Sequence, residues 1–335
     1  MNIAIIGAGI SGLSLANMLS GTANVKIFEK SRGFGGRIAT RRFYNEDFEF
    51  DHGAQFFTIK TDQFKKFMQP LIDQGIANVW NAKFVEIDGS DINYQKEWNL
   101  NYPHYVGVPK MNEIGKYLAN NLEVILQTEV KKIEKSDKNK WQLFDINSIS
   151  LGDFDWVISS APVFQTQILL PKEFAFHNYL KLRKMLGCYA LMLGFENRLN
   201  IDWDVALVKN SKISWISNNS SKPERKDLNA IVALSSNEWA DKNMESEIEE
   251  IKREMLKTIL PIIKYKDDEL IKCEIHRWRY ANIAKNYKYK YLLDIDNRLA
   301  AIGDWCIRGT IESGFLSAHA LYNELIKIIH NHPLK

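Results

Sequence analysis

The chain has 335 residues, and its 44 lysines and arginines nearly balance its 41 aspartates and glutamates, which leaves a formal net charge of +3. This balance argues against a nucleic-acid-binding protein, which needs a concentrated basic face. Hydrophobic residues make up 45% of the chain, enough for a large core and too many for a disordered protein. At roughly 150 residues per domain, the length predicts about two domains.

The sequence predicts no membrane anchor and no metal site. No apolar run reaches the ~18 residues of a transmembrane helix. The apolar residues 3–6 lack a preceding basic segment and run into glycines, unlike a secretory signal. The three cysteines, Cys188, Cys273 and Cys306, are too far apart for a disulfide framework or zinc spacing. We therefore expect a cytoplasmic protein without metal, membrane or nucleic-acid partners.

The predicted elements begin with a strand–helix–strand unit in the first thirty residues. Residues 3–6 are typical of a strand buried on both faces, and apolar residues then recur at helical spacing before the strand at 25–29. Residues 61–75 have one apolar face and predict an amphipathic helix. The other predicted elements are strands at residues 122–132, 141–144, 155–160, 189–195, 213–216, 231–234 and 299–302, and helices at residues 111–118, 248–259 and 313–329.

The turn between the first strand and the first helix has the spacing of a dinucleotide fingerprint. Gly7 suits the tight turn, Gly9 lets a pyrophosphate approach the backbone, and Gly12 lets the helix pack on the strand. The anion then binds at the helix N-terminus. Glu29 ends the next strand, where a carboxylate accepts hydrogen bonds from the adenosine ribose. Together these residues predict a dinucleotide site.

Three later segments distinguish a flavin dinucleotide from a nicotinamide one. The loop at residues 32–37 places two arginines around Gly35 and Gly36, which suits a long dinucleotide. At residues 51–57, two small residues precede a polar and two aromatic residues, which suits close approach to a planar ring; we interpret His52 as structural. The Gly303–Asp304 pair suits a ribityl hydroxyl, and the helix that follows can direct its dipole at the flavin pyrimidine.

The sequence resembles the renalase family, especially its bacterial branch, within the amine-oxidase-like flavoproteins. The glycine-rich and Gly-Asp motifs are shared by many flavoproteins. The stretches Asp-His-Gly-Ala-Gln, Ser-Lys-Pro-Glu-Arg and His-Arg-Trp-Arg-Tyr are much more specific to this resemblance. The resembling segments span nearly the whole chain: residues 7–12, 29–37, 51–58, 221–225, 276–281 and 303–306.

The resemblance implies an α/β flavoprotein with noncovalent FAD and two domains. A discontinuous Rossmann-like FAD-binding domain would comprise residues 1–60, 105–164 and 296–335. A mixed-sheet α+β substrate domain would comprise residues 61–104 and 165–295. The residues expected to bind FAD are Gly7, Gly9, Ser11, Gly12, Glu29, Lys30, Arg32, Gly35, Gly36, Arg37, Gln55, Phe56, Val130, Gly303, Asp304, Ile311 and Glu312.

The resemblance also implies an activity, the oxidation of misreduced nicotinamide dinucleotides. The 2- and 6-dihydro isomers of NAD(P) would transfer a hydride to flavin N5, giving NAD(P)⁺, and dioxygen would reoxidise the flavin with release of hydrogen peroxide. No protein base is needed, so the protein mainly orients two rings. The expected substrate pocket contains Gln55, Phe57, Trp215, Trp278, Tyr280 and Trp305, although ordinary core packing is the alternative for each aromatic residue. Arg279 suits either a substrate phosphate or a surface ion pair.

Two other functions are alternatives to this activity. The first is a flavin amine oxidase or desaturase acting on another donor. The second is a non-enzymatic binding module, disfavoured because both the Gly-Gly-Arg loop and the Gly-Asp turn are present. Covalent attachment of flavin at Cys306 is a further alternative. The sequence ranks neither the two isomers nor NAD against NADP, indicates no oligomeric state, and gives no role to residues 285–291.

Overall fold

The structure is a computed structural model, and it describes residues 1–45, 47–137, 139–226, 228–265, 270–284 and 288–331. Of the stretch 285–291, residues 285–287 lie outside the described residues. The strands are β1 (Asn2–Ile6), β2 (Asn24–Phe28), β3 (Thr40–Phe43), β4 (Phe48–Asp51), β5 (Ala77–Val79), β6 (Lys83–Asp88), β7 (Asp91–Glu97), β8 (Tyr105–Gly107), β9 (Glu123–Ile125), β10 (Val130–Lys135), β11 (Trp141–Asp145), β12 (Ser150–Phe154), β13 (Trp156–Ser159), β14 (Met185–Phe195), β15 (Val205–Lys209), β16 (Ile213–Asn218), β17 (Asn229–Ser235), β18 (Leu270–Ile283), β19 (Leu292–Asp294) and β20 (Leu299–Ala301). The α-helices are α1 (Ile10–Leu19), α2 (Asp62–Asp73), α3 (Glu113–Ala119), α4 (Val163–Leu169), α5 (His177–Lys181), α6 (Asn237–Lys242), α7 (Ile248–Ile263) and α8 (Ile311–Asn331).

The chain divides into two compact units, each discontinuous in sequence. Unit 1 comprises residues 1–37, 115–185 and 283–335. Unit 2 comprises residues 38–114 and 186–282. Residues 38–60 and 105–114 were expected in the FAD-binding domain. Their hydrogen bonds and packing lie within unit 2, and residues 165–185 and 283–295 belong to unit 1.

Unit 1 is built around a six-stranded sheet in the order β19-β20-β13-β1-β2-β9. The pairs β1–β2, β1–β13, β13–β20 and β2–β9 are parallel, and the edge strand β19 is antiparallel to β20. Ile3, Ala4 and Ile5 of β1 are fully buried, as expected for a central strand covered on both faces. A separate antiparallel sheet contains β10, β11 and β12.

Unit 2 is built around a seven-stranded sheet in the order β18-β14-β17-β16-β15-β6-β7. Strand β15 pairs in parallel with β6, whereas β14–β17, β15–β16 and β16–β17 are antiparallel. Helix α7 buries Ile251, Met255 and Ile259 in the core beside this sheet, since these residues repeat at helical spacing. The hairpin of β3 and β4 and the pair β5–β8 complete the unit's strands.

Most elements predicted from apolar periodicity are present. The first strand–turn–helix unit, the helix ending before Gly75 and the buried strand before Pro162 are confirmed. The fold class is also confirmed, because unit 1 contains a mostly parallel sheet assembled from distant segments and unit 2 contains a mixed sheet. None of the described helices is both long enough and apolar enough to span a membrane.

The prediction of one strand at residues 122–132 is wrong. The segment forms two strands, β9 in the parallel sheet and β10 in the antiparallel sheet. Between them Gln127 has a positive φ of 54°, and its backbone N–H donates to Ser31. The turn is made by backbone bonds to the end of β2, which apolar periodicity does not reveal. The strands β3 to β8, β12, β15, β18 and β19 and the helices α4, α5 and α6 were not predicted either.

Candidate active site

The glycine-rich turn of unit 1 has the geometry predicted for an anion site. Gly7 has a φ of 106°, and a side chain at Gly12 would overlap the carbonyl oxygen of Gly7. Gly9 is the N-cap of α1, offers no side-chain cap, and has no atom within 4 Å of the position of a Cβ. Because the first N–H groups of a helix lack intrahelical acceptors, this open end can bind a phosphate. Ser11 lies in the first turn of α1 and is buried.

Glu29 is a buried carboxylate held by backbone donors. Its Oε2 accepts the N–H of Ala8 and its Oε1 accepts the N–H of Ser31, both at 2.8 Å. Among the described residues, no lysine or arginine forms an ion pair with it. A carboxylate has about four acceptor positions, so lone pairs remain for the hydroxyls of a ribose. The adjacent Lys30 and Arg32 are exposed.

The second glycine-rich loop packs directly on the first. The N–H of Gly35 donates to Ala8, and Gly36 has a φ of 58°. A Cβ at Gly36 would lie 3.3 Å from the Cα of Gly9, so a larger residue would crowd the anion site. Arg37, which ends this loop, forms an ion pair with Asp304. Arg37 of the second glycine-rich loop is therefore adjacent to Asp304, the residue expected at the ribityl chain.

The C-terminal part of unit 1 brings the remaining predicted cofactor residues into place. Gly303 lies so close to the indole of Trp305 that a side chain there would overlap it. Asp304 is 6% exposed, and its backbone carbonyl accepts three N–H groups from residues 307–309. Thr310 accepts the N–H of Ser313 through its hydroxyl, and Ile311 and Glu312 are buried in the first turn of α8. Val130 is buried at the start of β10.

These residues fit a dinucleotide such as FAD. An open helix N-terminus suits the pyrophosphate. The buried Glu29, which has no cationic partner among the described residues, suits the adenosine ribose. The buried Asp304 suits a hydroxyl of the ribityl chain. The arrangement thus contains anion-binding and hydroxyl-binding groups of the kinds that the sequence predicted.

Unit 2 contains a buried ion cluster, formed by Asp51, Lys222 and Arg225. The carboxylate Oδ2 of Asp51 lies 2.7 Å from Arg225 and 3.2 Å from Lys222. Its Oδ1 accepts the Thr40 hydroxyl and the Met111 N–H. Burial alone would raise the pKa of Asp51, but the two cations outweigh it and lower the pKa. Burial also lowers the pKa of Lys222 to about 8.

Gln55 is bound to this cluster rather than directed away from it. Its Nε2 donates to the backbone carbonyls of Asp51, at 2.6 Å, and Gly53, at 3.0 Å. Its Oε1 accepts from Nζ of Lys222 at 3.4 Å. Both ends of the amide thus bond within unit 2, and Gln55 fixes the loop that leads to Phe56 and Phe57.

A second group in unit 2 contains two histidines and a tryptophan. The indole N–H of Trp278 donates to the His52 carbonyl at 2.8 Å, and the two rings stack with centroids 5.2 Å apart. His276 packs edge-on against both rings. Burial lowers the pKa of His52 to about 3 and that of His276 to about 4, so both are neutral at pH 7.

Phe56 and Trp215 meet in an aromatic cluster, which we define as Phe56, Phe84, Trp98, His104 and Trp215. The Phe56 ring lies 5.5 Å from Trp215 and 5.0 Å from Trp98. The rings of Trp98 and His104 are nearly parallel, 3.7 Å apart. Burial lowers the pKa of His104 to about 4, so it acts as a neutral ring in this cluster.

The other predicted pocket residues lie elsewhere. Phe57 is buried in the core of unit 2 between Tyr105 and Phe64. Arg279 is exposed and paired with Glu245, and Tyr280 is half-buried on β18. Trp305 is buried in unit 1 and donates its indole N–H to Ala161.

Comparisons with known proteins are consistent with this geometry. The family model described as NAD(P)-binding Rossmann-like domain matches residues 5–71. The model described as flavin containing amine oxidoreductase matches residues 91–320, well over half of the chain. The chain belongs to the flavin-containing amine oxidoreductase family. FAD is its cofactor, and the protein is an oxidoreductase.

Solved structures share the fold of this flavin oxidoreductase at low sequence identity. A protein described as a protoporphyrinogen oxidase from Exiguobacterium sp. 255-15 aligns with a TM-score of 0.76 and 11% identity over 97% of this chain and 98% of its own. Wild-type putrescine oxidase bound to putrescine aligns with a TM-score of 0.68 and 12% identity over 98% of this chain and 99% of its own. A triple mutant of the same enzyme gives a TM-score of 0.73 at 12% identity over 97% of this chain and 98% of its own.

The sequence analysis of this flavin oxidoreductase missed several site residues. Asp51, Lys222 and Arg225 occur in the stretches that carry the family resemblance, but no role was given to them. Trp98 and His104 were not singled out at all. Their position in the aromatic cluster depends on pairing between β6 and β15, strands that the sequence analysis did not predict.

Proposed function

We propose that this flavin oxidoreductase oxidises misreduced nicotinamide dinucleotides, the 2- and 6-dihydro isomers of NAD(P), to NAD(P)⁺. One observation carries the proposal: the three stretches most specific to the renalase resemblance converge in unit 2. Asp51 of the first stretch bonds to Lys222 and Arg225 of the second. His52 of the first packs against His276 and Trp278 of the third. Residues more than 160 positions apart thus act as one structural group.

The chemistry of this substrate suits the titratable groups of unit 2. A dihydropyridine expels hydride with its own nitrogen lone pair, so no protein group has to remove a proton. Lys222 bonds to Asp51, Gln55 and Asn219, so it is fully engaged in the buried ion cluster. A dihydropyridine needs no proton acceptor, so its oxidation does not require Lys222 to leave the buried ion cluster.

The chain's own contribution is binding and orientation. When bound, FAD would supply the hydride acceptor and the two electrons that, with two protons, reduce dioxygen to hydrogen peroxide. Glu29, the N-terminus of α1 and Asp304 would hold that cofactor through its ribose, pyrophosphate and ribityl chain. In unit 2, the half-buried rings of Phe56 and Trp215 offer flat surfaces for a nicotinamide ring. Holding two rings in reacting geometry is the main source of rate in such a transfer.

Oxidation of an amine is the second candidate function. It is supported by the family match and by the fold shared with an enzyme named putrescine oxidase. An amine must lose its ammonium proton before it can donate hydride. Oxidation of an amine therefore requires a proton acceptor, whereas oxidation of a dihydropyridine does not.

Anaerobic stopped-flow mixing tests the two candidates by the bleaching of the flavin. We expect rapid bleaching by 2- or 6-dihydroNAD(P), and slow or no bleaching by ordinary NADH, putrescine and simple amines. We expect Trp215→Leu to slow bleaching, whereas Tyr44→Leu, at a tyrosine that is 82% exposed, leaves it unchanged. Rapid bleaching by an amine with none by any dihydronicotinamide would reject the proposal.

A further inference from the structure

Arg41, on β3 of unit 2, is a cation that has no neutralising anion among the described residues. Its side chain is exposed, and its guanidinium contacts Nδ1 of His276 at 3.3 Å. Within the part of the chain that the structure describes, no carboxylate lies in ion-pair distance of it. Its neighbour Arg42 differs, because it pairs with Glu49 and Glu113. Arg41 therefore retains its full charge for a ligand.

The contact with Arg41 also fixes the protonation of His276. An arginine side chain has only donors, so Nδ1 of His276 must accept and the ring proton must lie on Nε2. Burial and the charge of Arg41 lower the pKa of His276 to about 4, so the ring stays neutral at pH 7. Only part of the guanidinium is used in this contact, so the remaining N–H groups of Arg41 are donors suited to an oxyanion, while the Nε2–H of His276 points to the far side of the ring.

An aromatic plane adjoins these donors. The ring of Trp278 lies with its centroid 4.3 Å from that of His276, and its indole N–H is bound to the His52 carbonyl. The Trp278 ring also stacks on the buried ring of His52, which further fixes the orientation of the indole. We call Arg41, His276 and Trp278 the Arg41 patch. It combines a charge for a phosphate with a flat surface for a ring.

We propose that the Arg41 patch binds a phosphate of the dinucleotide substrate, an inference that rests on the proposed function for the identity of the ligand. It replaces the sequence-based alternative that Arg279 meets this phosphate. Alternate side chains of a strand point to opposite faces, so Arg279 and Trp278 lie on different sides of β18. The charge of Arg279 is already paired with Glu245. Arg41 is on the same side as Trp278, and none of the carboxylates that the structure describes pairs with it.

The first experiment compares substrates with and without phosphate. The FAD-loaded wild type, Arg41→Gln and Arg41→Lys are reduced anaerobically by a dihydroNAD isomer and by the matching dihydronicotinamide riboside. Arg41→Gln should raise the half-saturating concentration of the dinucleotide at least tenfold, with the limiting rate unchanged. The riboside should react equally with all three proteins, and Arg41→Lys should lose less than Arg41→Gln.

The matched control is Arg253→Gln, which removes the same charge from an exposed position on α7. It should leave both substrates unaffected. Equal losses for the dinucleotide and the riboside in Arg41→Gln would contradict the phosphate assignment. Equal losses for the dinucleotide in Arg41→Gln and Arg253→Gln would show that the affinity depends only on the net charge of the protein. That result would also contradict the phosphate assignment.

A binding experiment separates this inference from the proposed function. Calorimetry measures ADP-ribose, which carries the pyrophosphate but no reducible ring, on the FAD-loaded protein. The wild type should bind it, Arg41→Gln should bind it at least tenfold more weakly, and added salt should weaken the wild-type binding. If Arg41→Gln weakens ADP-ribose binding but no dihydronicotinamide bleaches the flavin, the anion site at Arg41 is supported and the proposed function is rejected. Absent binding, or equal binding by both proteins, rejects the site.

Discussion

Glu29 is a buried anion whose oxygens accept two backbone N–H groups and keep lone pairs for a ligand. We expect Glu29→Gln to weaken FAD binding ~10-fold to 100-fold, since a hydrogen bond to a charged group contributes about 1.5–3 kcal/mol. Titration of the apoprotein with FAD, followed by the quenching of flavin fluorescence, measures the dissociation constant.

The control for this variant is Glu123→Gln, on the neighbouring strand β9, where the carboxylate is exposed and paired with Lys26. It should leave FAD affinity unchanged, because it removes the same charge away from the glycine-rich turn. If Glu29→Gln binds FAD as tightly as the wild type, the ribose assignment of Glu29 is incorrect.

Asp51 makes the stability of the protein depend on acid pH. Burial alone would raise its pKa, but Lys222 and Arg225 outweigh burial and hold the pKa well below 3.8. Below pH ~4 the unfolded chain therefore binds a proton that the folded chain does not. The stabilisation from Asp51 is complete above pH ~4 and is lost as the pH falls further.

We expect the unfolding free energy, measured by urea denaturation from pH 7 to pH 3, to fall steeply below pH 4 in the wild type. Asp51→Asn should be less stable at pH 7 by ~3–5 kcal/mol, because two buried cations lose their anion, and should show a shallower acid dependence. Asp202→Asn, at a carboxylate that is 94% exposed, should keep the wild-type profile. An Asp51→Asn profile parallel to the wild type would contradict this account.

At the scale of elements, two glycines of the turn between β1 and α1 are expected to have different roles, Gly9 in FAD binding and Gly12 in packing. Gly9 has a φ of −79° and open space around it, so alanine fits the backbone. We expect Gly9→Ala to fold with a melting temperature close to that of the wild-type apoprotein but to bind FAD at least tenfold more weakly. The added methyl group would stand at the helix end where a pyrophosphate approaches.

Gly12→Ala is the companion variant with the opposite expectation. Its methyl group would overlap the carbonyl of Gly7, so strand and helix must separate. We expect the apoprotein to lose ~1–3 kcal/mol of stability, as overpacked positions do. Thermal unfolding of both apoproteins checks the pair; a Gly9→Ala apoprotein as unstable as Gly12→Ala would assign both glycines to packing alone.

The sequence revealed elements whose determinants are local. Gly7, Gly9, Gly12 and Glu29 lie within one strand–helix–strand unit, and their spacing alone predicts their contacts. Strands β1 and β13 were predicted from their apolar runs, but not that they pair with each other, and the pairing of β6 with β15, about 120 residues apart, was not predicted. Hydrophobic periodicity reports burial along a segment, but it does not report which partner buries it.

The candidate site shows the same limit. The segments around Asp51, Lys222 and Trp278 were recognised as specific stretches, yet their contacts could not be read from the chain. For Arg279 the sequence left a substrate phosphate and a surface ion pair open, and the structure pairs it with Glu245. The choice between Arg41 and Arg279 depends on which arginine a carboxylate neutralises, and that is a property of the folded chain.

At the scale of the whole molecule, FAD should be held without a covalent bond. Cys306 is buried, and burial raises the pKa of its thiol, so the nucleophilic thiolate is not formed at neutral pH. We expect acid precipitation to leave intact FAD in the supernatant, measured by its absorbance and chromatographic mobility. Flavin that stays with the precipitated polypeptide would instead establish a covalent attachment.

The strand order of unit 1 has a consequence for how a ribosome makes this protein. Its central strand β1 is made first, but β13 gains its second neighbour only when β20, at residues 299–301, has been synthesised. Unit 2 has all its segments by residue 282, whereas unit 1 still lacks β19, β20 and α8 at that point. Until β20 is synthesised, one edge of β13 is therefore unpaired. Unpaired strand edges are aggregation-prone surfaces of the kind that chaperones protect. Unit 1 is thus completed last, so the nascent chain contains all of unit 2 before it contains every residue expected to bind FAD.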